Sequence, residues 1–172
     1  MLVERSDLQK LIPSVASELK EYDYIVYADG ASRGNPGPAG IGLVIITRGG
    51  KVFSAQRSFG EATNNQMELK SIIESLKCLE DEKKVLIRTD SQYVAKAFSE
   101  NWVETWKKSN WKKKDKTEVK NKDLWKELLF ELKKKRVFFE WIRGHHEDKF
   151  NLEVDRLAVA AAKSSANKLH QV

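Results

Sequence analysis

Four acidic residues have the type and placement to do chemistry: Asp29, Glu68, Asp90 and Asp155. Asp29 and Asp90 each follow a short apolar run typical of a buried strand, and ligand sites in open α/β sheets lie at the carboxyl ends of strands. Oxygen ligands favour a hard cation such as Mg²⁺, with Mn²⁺ as the substitute. Such a cluster suits hydrolysis of a phosphodiester by two metal ions about 4 Å apart.

Glu68 is notable for the helix face on which it lies. The apolar residues between positions 65 and 80 recur at helical spacing, and at about 100° per residue Glu68 falls within about 40° of Ile72 and about 20° of Leu79. We therefore expect Glu68 on the core-facing stripe, where a carboxylate needs a partner. A salt bridge to a buried arginine or lysine is the alternative to a metal ion.

The three aspartates also have ordinary structural explanations. Asp29 or Asp90 alone could cap a turn or a helix, and Asp155, which we expect to open the last helix, could favour the helix dipole. If the four acids do cluster, their mutual repulsion requires a cation. Without metal, at least one should protonate above its ordinary pKa, and the site should be weakly stable.

The elements that must position these acids follow from hydrophobic periodicity. The strands are expected over residues 24–28, 41–47, 52–59, 85–87 and 137–142, and the main helices over 65–80, 91–98, 102–108, 124–132 and 153–163. Residues 30–40 are rich in glycine and proline and predict irregular structure, which would place Asp29 at a strand end. On the 124–132 helix, Leu124, Leu128 and Leu132 are the expected core residues. This order predicts an α/β fold with a mixed five-stranded sheet, three antiparallel strands first, flanked by helices.

Composition limits the class of protein. The 172 residues suit one domain, and the longest apolar run is far shorter than a membrane span of about 20 residues. The charged N-terminus does not resemble a secretory signal, so a cytoplasmic location is expected. The lone Cys78 cannot form an internal disulfide.

The net charge of +6 is concentrated in one segment. Residues 107–122 contain eight lysines against Asp115 and Glu118, so the rest of the chain is neutral overall. Trp102, Trp106 and Trp111 precede or interrupt this segment. Lysine interleaved with tryptophan suits phosphate contact and stacking on nucleic acid, although a solvated lysine-rich surface is the ordinary alternative.

Several ordered motifs carry a resemblance to a known family. They are YADG at residues 27–30, GNPG at 34–37, TNNQMEL at 63–69, TDSQYV at 89–94, and WIRGH at 141–145 with Asn151 and Asp155. Over residues 24–163 the chain resembles type 1 ribonuclease H, especially its bacterial form. The resemblance implies a ribonuclease H-like fold and an endonuclease that cuts the RNA strand of RNA/DNA hybrids by a two-metal-ion mechanism, leaving 3′-hydroxyl and 5′-phosphate ends.

The resemblance also assigns roles to residues. It makes Asp29, Glu68, Asp90 and Asp155 the ligands of two Mg²⁺ ions, with His145 assisting proton handling or product release. The residues implied to meet the hybrid in its minor groove are Ser32, Asn35, Asn64, Asn65, Gln66 and Gln92. Those implied to meet the DNA strand are Thr63 and Asn121 at a phosphate, Trp102 and Trp106 at the sugars, and Lys112, Lys113 and Lys114 in a basic protrusion.

One departure and two alternatives remain. Bacterial relatives commonly have an arginine two residues before the pocket threonine, where this chain has Glu61. Another nuclease or strand-transfer enzyme of the same superfamily is one alternative, and a non-catalytic hybrid-binding module is the other. We expect residues 1–22 to be an N-terminal helical extension, 23–163 the catalytic domain and 164–172 a C-terminal tail, in a monomer that does not bind membranes.

Overall fold

The sheet of the molecule is mixed and has six strands. The computed structural model describes residues 2–144 and 147–170. The strands are β1 (Val3–Glu4), β2 (Tyr24–Ser32), β3 (Gly37–Thr47), β4 (Val52–Ala62), β5 (Lys84–Thr89) and β6 (Arg136–Trp141). Their spatial order is β1-β4-β3-β2-β5-β6, with β2 antiparallel to β3 and parallel to β5. The α/β fold is confirmed. The predicted count of five strands was one too low, because β1 is only two residues long and gives no periodic signal.

Helices cover the sheet. They are α1 (Ala16–Leu19), α2 (Asn64–Lys77), α3 (Gln92–Ser99), α4 (Trp102–Lys108), α5 (Lys122–Leu132) and α6 (Lys149–His170), with a 3-10 helix over Ser6–Val15. In the part of the chain that the structure describes, no helix is both long and apolar enough to cross a membrane. The last helix is longer in both directions than the predicted 153–163, which changes the position of Asp155 within it.

Strands β2 and β3 run through the segment that we predicted to be irregular. That prediction was wrong because the glycines of β3 serve packing rather than turns. A Cβ added at Gly42 would lie 2.6 Å from the carbonyl oxygen of Val154, and one at Gly40 would lie 2.5 Å from the Cβ of Ala161. Only glycine therefore lets α6 lie directly on β3, and only residues 33–36 remain as the turn.

Two hydrophobic clusters lie on the two faces of the sheet. One joins β2, β3 and β5 to the helices α2 and α5, with Trp125 fully buried. The other joins the sheet to α6 and the N-terminal segment, where Leu8, Val15 and Leu19 are buried. On α5, Leu128 is buried as expected, whereas Leu124 and Leu132 are only half-buried. The buried face of that helix is thus centred on Trp125 and Leu128.

Candidate active site

Asp29 lies inside β2 rather than at its end, because pairing with β3 continues to Ser32. Its side chain is buried, and Oδ1 accepts a hydrogen bond from the backbone N–H of Gly30 at 2.9 Å. A Cβ at Gly30 would lie 2.4 Å from the carbonyl carbon of Met67 in α2. Glycine therefore lets α2 approach β2 closely, which brings the Glu68 backbone next to Asp29.

Glu68 lies in the second turn of α2 and is half-buried, between the buried residues Met67 and Leu69. It therefore lies on the core-facing stripe of α2, as predicted, close to the start of the helix. The Ser91 hydroxyl donates a hydrogen bond to its Oε2. Burial and the Asp90 charge raise the pKa of Glu68, and the hydrogen bond from Ser91 lowers it. Within the described residues, no lysine or arginine contributes to this pKa. The salt-bridge alternative is thus not supported.

Asp90 follows β5 directly, as predicted, and is half-buried. The Trp141 indole N–H donates to its backbone oxygen at 3.3 Å, and the Asn151 side-chain amide donates to its Oδ2 at 3.5 Å. Ser91, the next residue, is the N-cap of α3 and accepts from the Val94 N–H. Asp90 is therefore held between two strands and the start of α6.

Asp155 lies on the exposed side of α6, opposite the buried Val154 and Leu157. It does not open this helix as predicted, since α6 begins at Lys149, so its position has no explanation in the helix dipole. The Asp155 carboxylate contributes repulsion at both Asp29 and Asp90. The structure thus brings all four predicted acids together beside the central strands β2 and β5.

Burial and nearby carboxylates disfavour the ionisation of Asp29, Glu68 and Asp90. Burial, followed by repulsion from Asp90 and Asp155, raises the pKa of Asp29 to about 8. Burial is also the largest cause of the raised pKa of Asp90 and of Glu68, and the nearby carboxylates add to it. A buried carboxylate cluster of this kind is stabilised either by taking up protons or by binding a cation.

The donor set fits a hard divalent cation. All four side chains offer oxygen, the ligand that Mg²⁺ and Mn²⁺ prefer. Within residues 2–144 and 147–170, no three side chains of histidine, cysteine, aspartate or glutamate surround one point closely enough to hold an ion by themselves. Mg²⁺ is commonly bound through one or two carboxylates, with water and substrate phosphate completing its octahedral shell, so this open arrangement suits it.

The predicted minor-groove residues lie at the end of β2 and in the turn after it, in the first turn of α2 and in the first turn of α3. Ser32 and Asn35 approach the start of α2: the Asn35 Oδ1 accepts from the Asn64 N–H at 3.1 Å, and the Ser32 hydroxyl donates to the Ala62 carbonyl at 2.8 Å. Asn64 and its neighbour Asn65 are exposed. Asn35 and Asn64 are therefore in direct contact, and Ser32 is held against the end of β4.

The two glutamines take different positions. Gln66 completes the capping box of α2 with Thr63, accepting from the Thr63 N–H at 2.9 Å through Oε1, which leaves its amide N–H groups available. Gln92 is exposed in the first turn of α3, next to Ser91. Both can therefore offer amide donors to a ligand.

The predicted phosphate pocket draws on two helix starts. Thr63 is the N-cap of α2, with its hydroxyl oxygen accepting from the Gln66 N–H, and Asn121 precedes α5 in a left-handed conformation. The Asn121 amide donates to the Tyr93 hydroxyl at 3.2 Å. Glu61 is exposed nearby in sequence, at the end of β4. Both pocket residues therefore already have structural hydrogen bonds.

The tryptophans divide into surface and core. Trp102 and Trp106 are half-buried on α4 with ring centroids 6.1 Å apart, so each can present a face to a ligand. Trp111 is buried, with its ring 5.9 Å from that of Trp106. It thus packs in the core, and our expectation that it stacks on nucleic acid is wrong.

The lysine-rich segment after α4 forms an exposed loop. Lys112, Lys113 and Lys114 are all exposed. The backbones of Lys112 and Glu118 form an isolated antiparallel β-bridge. We call residues 107–122 the basic protrusion. His145 and the adjacent His146 lie outside the described residues.

Two contacts to the acids were not assigned from the sequence. Ser91 donates to Glu68, and Asn151 donates to Asp90. Ser91 was interpreted only as the start of a helix, and Asn151 only as a motif position. Their positions in the sequence could have identified them, because Ser91 directly follows Asp90 and Asn151 lies four residues before Asp155.

Comparison with known proteins agrees with this geometry. The family model described as RNase H matches residues 21–163. A ribonuclease H of Caldicellulosiruptor saccharolyticus is 45% identical over 142 residues, which is 82% of this chain and 97% of that protein.

Two solved structures are similar as well. LC9-RNase H1, a type 1 RNase H with the type 2 active-site motif, has a TM-score of 0.72 and 29% identity over 83% of this chain and 72% of its own. LC11-RNase H1, solved in complex with an RNA/DNA hybrid, has a TM-score of 0.62 and 25% identity over 83% of this chain and 99% of its own. With its fold and its four converging acids, this chain belongs to the RNase H family, in its bacterial type.

Proposed function

We propose that this chain is an endonuclease that hydrolyses the RNA strand of RNA/DNA hybrids and leaves 3′-hydroxyl and 5′-phosphate ends. The observation that carries the proposal is the convergence of Asp29, Glu68, Asp90 and Asp155 beside the central strands β2 and β5. Burial and neighbouring carboxylates raise the pKa of the first three. A binding module would gain nothing from negative charges beside phosphate. Membership of the family supports the enzymatic reading.

The four carboxylates are the proposed ligands of two Mg²⁺ ions per site, with Mn²⁺ as the substitute. When bound with substrate, these cations supply activation of the attacking water and stabilisation of the leaving 3′ oxygen. Ser91 and Asn151 orient Glu68 and Asp90 through their hydrogen bonds. His145 is proposed, from the family motif alone, to assist proton handling or product release.

Selectivity for the RNA strand is proposed to come from the polar rim around the acids. Its members are Ser32, Asn35, Asn64, Asn65, Gln66 and Gln92. Side-chain amides and hydroxyls can hydrogen bond to a ribose 2′-hydroxyl, which DNA lacks. LC11-RNase H1, solved in complex with an RNA/DNA hybrid, supports this substrate class.

The DNA strand is proposed to lie along the other side. Thr63 and Asn121 would contact a phosphate, Trp102 and Trp106 the sugars, and Lys112, Lys113 and Lys114 further phosphates. Residues 23–163 are the proposed catalytic domain, with 1–22 as an extension and 164–172 as a tail. We further propose that the protein acts as a monomer in the cytoplasm.

A cleavage assay tests the proposal. The protein is incubated with an RNA/DNA hybrid labelled in turn on each strand, with duplex RNA and with duplex DNA, in Mg²⁺ and in EDTA. We expect cuts in the RNA strand of the hybrid alone, only with metal, and new ends that carry a 5′-phosphate. Tight binding of the hybrid without cleavage would instead support the binding-module alternative and reject the enzyme.

A further inference from the structure

A series of hydrogen bonds, one of them buried and the others half-buried, connects the N-terminal segment to the acids. We propose that this series of hydrogen bonds positions Asp90 for the reaction. Its members, which we call the positioning chain, are in order Glu18, Arg88, Tyr27, Asp148 and Asn151. The inference deepens the proposed function and rests on it, and each link is a contact in the described structure.

The first link is a buried cation. Arg88 lies in β5, two residues before Asp90, and is 9% exposed. Its guanidinium donates to Glu18 at 3.1 Å, to Glu140 at 3.2 Å and to the Tyr27 hydroxyl oxygen at 2.9 Å. A buried guanidinium must satisfy its N–H groups, so these three acceptors fix its orientation.

The second link has a defined direction. Tyr27 lies in β2, two residues before Asp29, and its hydroxyl donates to Asp148 Oδ2 at 2.8 Å. Burial raises the pKa of Tyr27 well above its ordinary value, so the hydroxyl remains protonated and continues to donate. Arg88 donates to Tyr27, and Tyr27 in turn donates to Asp148.

The third link fixes the start of α6. Asp148 Oδ1 accepts from the N–H groups of Phe150 and Asn151 at 3.1 and 3.2 Å, as a helix N-cap does. One carboxylate oxygen therefore holds the helix while the other holds β2 through Tyr27. The first turn of α6 is thereby fixed relative to the strand that carries Asp29.

The last link reaches the acid. Asn151 is 5% exposed, and its amide donates to Asp90 Oδ2 at 3.5 Å, the long limit of a hydrogen bond. Its own Oδ1 has no hydrogen-bond partner among the described residues. A small shift of the first turn of α6 would therefore break the contact with Asp90.

Phe150 and Val154 are buried and dock α6 on the sheet, but one side of its first turn is not packed against protein. A cavity of about 540 Å³ separates the N-terminal segment from the start of α6, and Leu11, Tyr27, Arg88 and Asp148 are among its lining residues. On that side, the hydrogen bonds of Asp148 rather than packing fix the position of the residues at the start of α6. The family model matches residues 21–163, and Glu18 lies outside this range. The N-terminal extension therefore supplies a member of the positioning chain that the matched region does not contain.

The test uses the full-length protein with one near-isosteric change and one side-chain truncation. Tyr27→Phe removes only the hydroxyl and keeps the ring that packs 5.4 Å from that of Phe150, while Glu18→Ala removes the outer end of the positioning chain. The matched controls are Tyr24→Phe, in the same strand, and Glu21→Ala, which loses an exposed pair with Lys84.

For Tyr27→Phe we expect amide exchange at Phe150 and Asn151 to accelerate about tenfold, and kcat to fall about threefold to tenfold with KM for the hybrid unchanged. The NMR signal of the Asp90 carboxyl carbon should shift without any substrate present. Glu18→Ala should change the same quantities by less, and both controls should leave them at wild-type values.

The inference would be overturned if Tyr27→Phe lowered the melting temperature but left amide exchange, the Asp90 signal and kcat as they are in Tyr24→Phe. The positioning chain would then only stabilise the fold. If the wild type does not cleave the hybrid at all, the proposed function fails, while exchange and the Asp90 signal still decide whether the positioning chain acts on Asp90.

Discussion

Asp90 is the acid with the most direct contacts to its surroundings. Two side-chain groups, from Trp141 and Asn151, donate to its backbone and its carboxylate. An amide in its place keeps the shape but loses the negative charge that a cation requires. The residue is therefore the best single position at which to separate catalysis from binding.

We predict that Asp90→Asn lowers kcat on the hybrid at least about 10³-fold, because electrostatic stabilisation at the reacting phosphate is lost. Binding measured in EDTA should stay equal or tighten, because one charge that repels phosphate is gone. Single-turnover cleavage and fluorescence anisotropy measure the two effects. Asp123→Asn, at an exposed position of α5, is the matched control, and retention of a tenth of the activity by Asp90→Asn would contradict the assignment.

Residue types could be predicted from the sequence better than their environments. Asp90 at a strand end followed from the apolar run before it. The placement of Asp155 did not, because the start of α6 depends on Asp148, which caps the helix and also binds a tyrosine from a distant strand. Such long-range contacts have no local signal.

At the scale of the elements, the basic protrusion carries the net positive charge of the protein. Its lysines 112–114 are exposed, and the +6 charge of the molecule is concentrated here. We predict that alanine at these three positions raises KM for the hybrid about tenfold near physiological salt and reduces the salt dependence of binding by about two to three ions, with kcat unchanged. Binding titrations over a range of salt concentrations measure it.

The control for the basic protrusion removes the same charge elsewhere. Lys20, Lys51 and Lys133 are exposed on other elements, and their replacement by alanine changes the net charge equally. This variant should bind nearly as the wild type does. Equal losses in both variants would show that total charge, rather than the protrusion, determines affinity.

The glycine-rich strand shows the limit of local prediction for elements. Glycine and proline normally interrupt a strand, yet Gly40 and Gly42 lie within β3 because α6 lies too close for any side chain. On α5 the leucine repeat predicted the helix but not its centre, since the large ring of Trp125 occupies the core. In both cases the partner element, unknown from sequence, decides.

For the whole molecule, the acids that we propose to be catalytic also reduce the stability of the metal-free fold. An acid whose pKa rises on folding binds more protons in the folded state than in the unfolded state between its two pKa values, so stability falls as pH rises through that window. For Asp29 the window runs from the ordinary 3.8 to about 8. A bound divalent cation replaces the proton and removes this pH dependence.

We therefore predict that in EDTA the free energy of unfolding falls by up to about 1 kcal/mol per pH unit between about pH 5.5 and about pH 8, and that millimolar Mg²⁺ flattens the profile. Urea unfolding at several pH values measures this. Asp29→Asn should be more stable than the wild type near pH 8 without metal and should lose most of the slope, because its side chain stays neutral. If the variant and the wild type had parallel profiles in EDTA, Asp29 would not be the proton-binding group. If Mg²⁺ stabilised both equally, the cation would not be acting through Asp29.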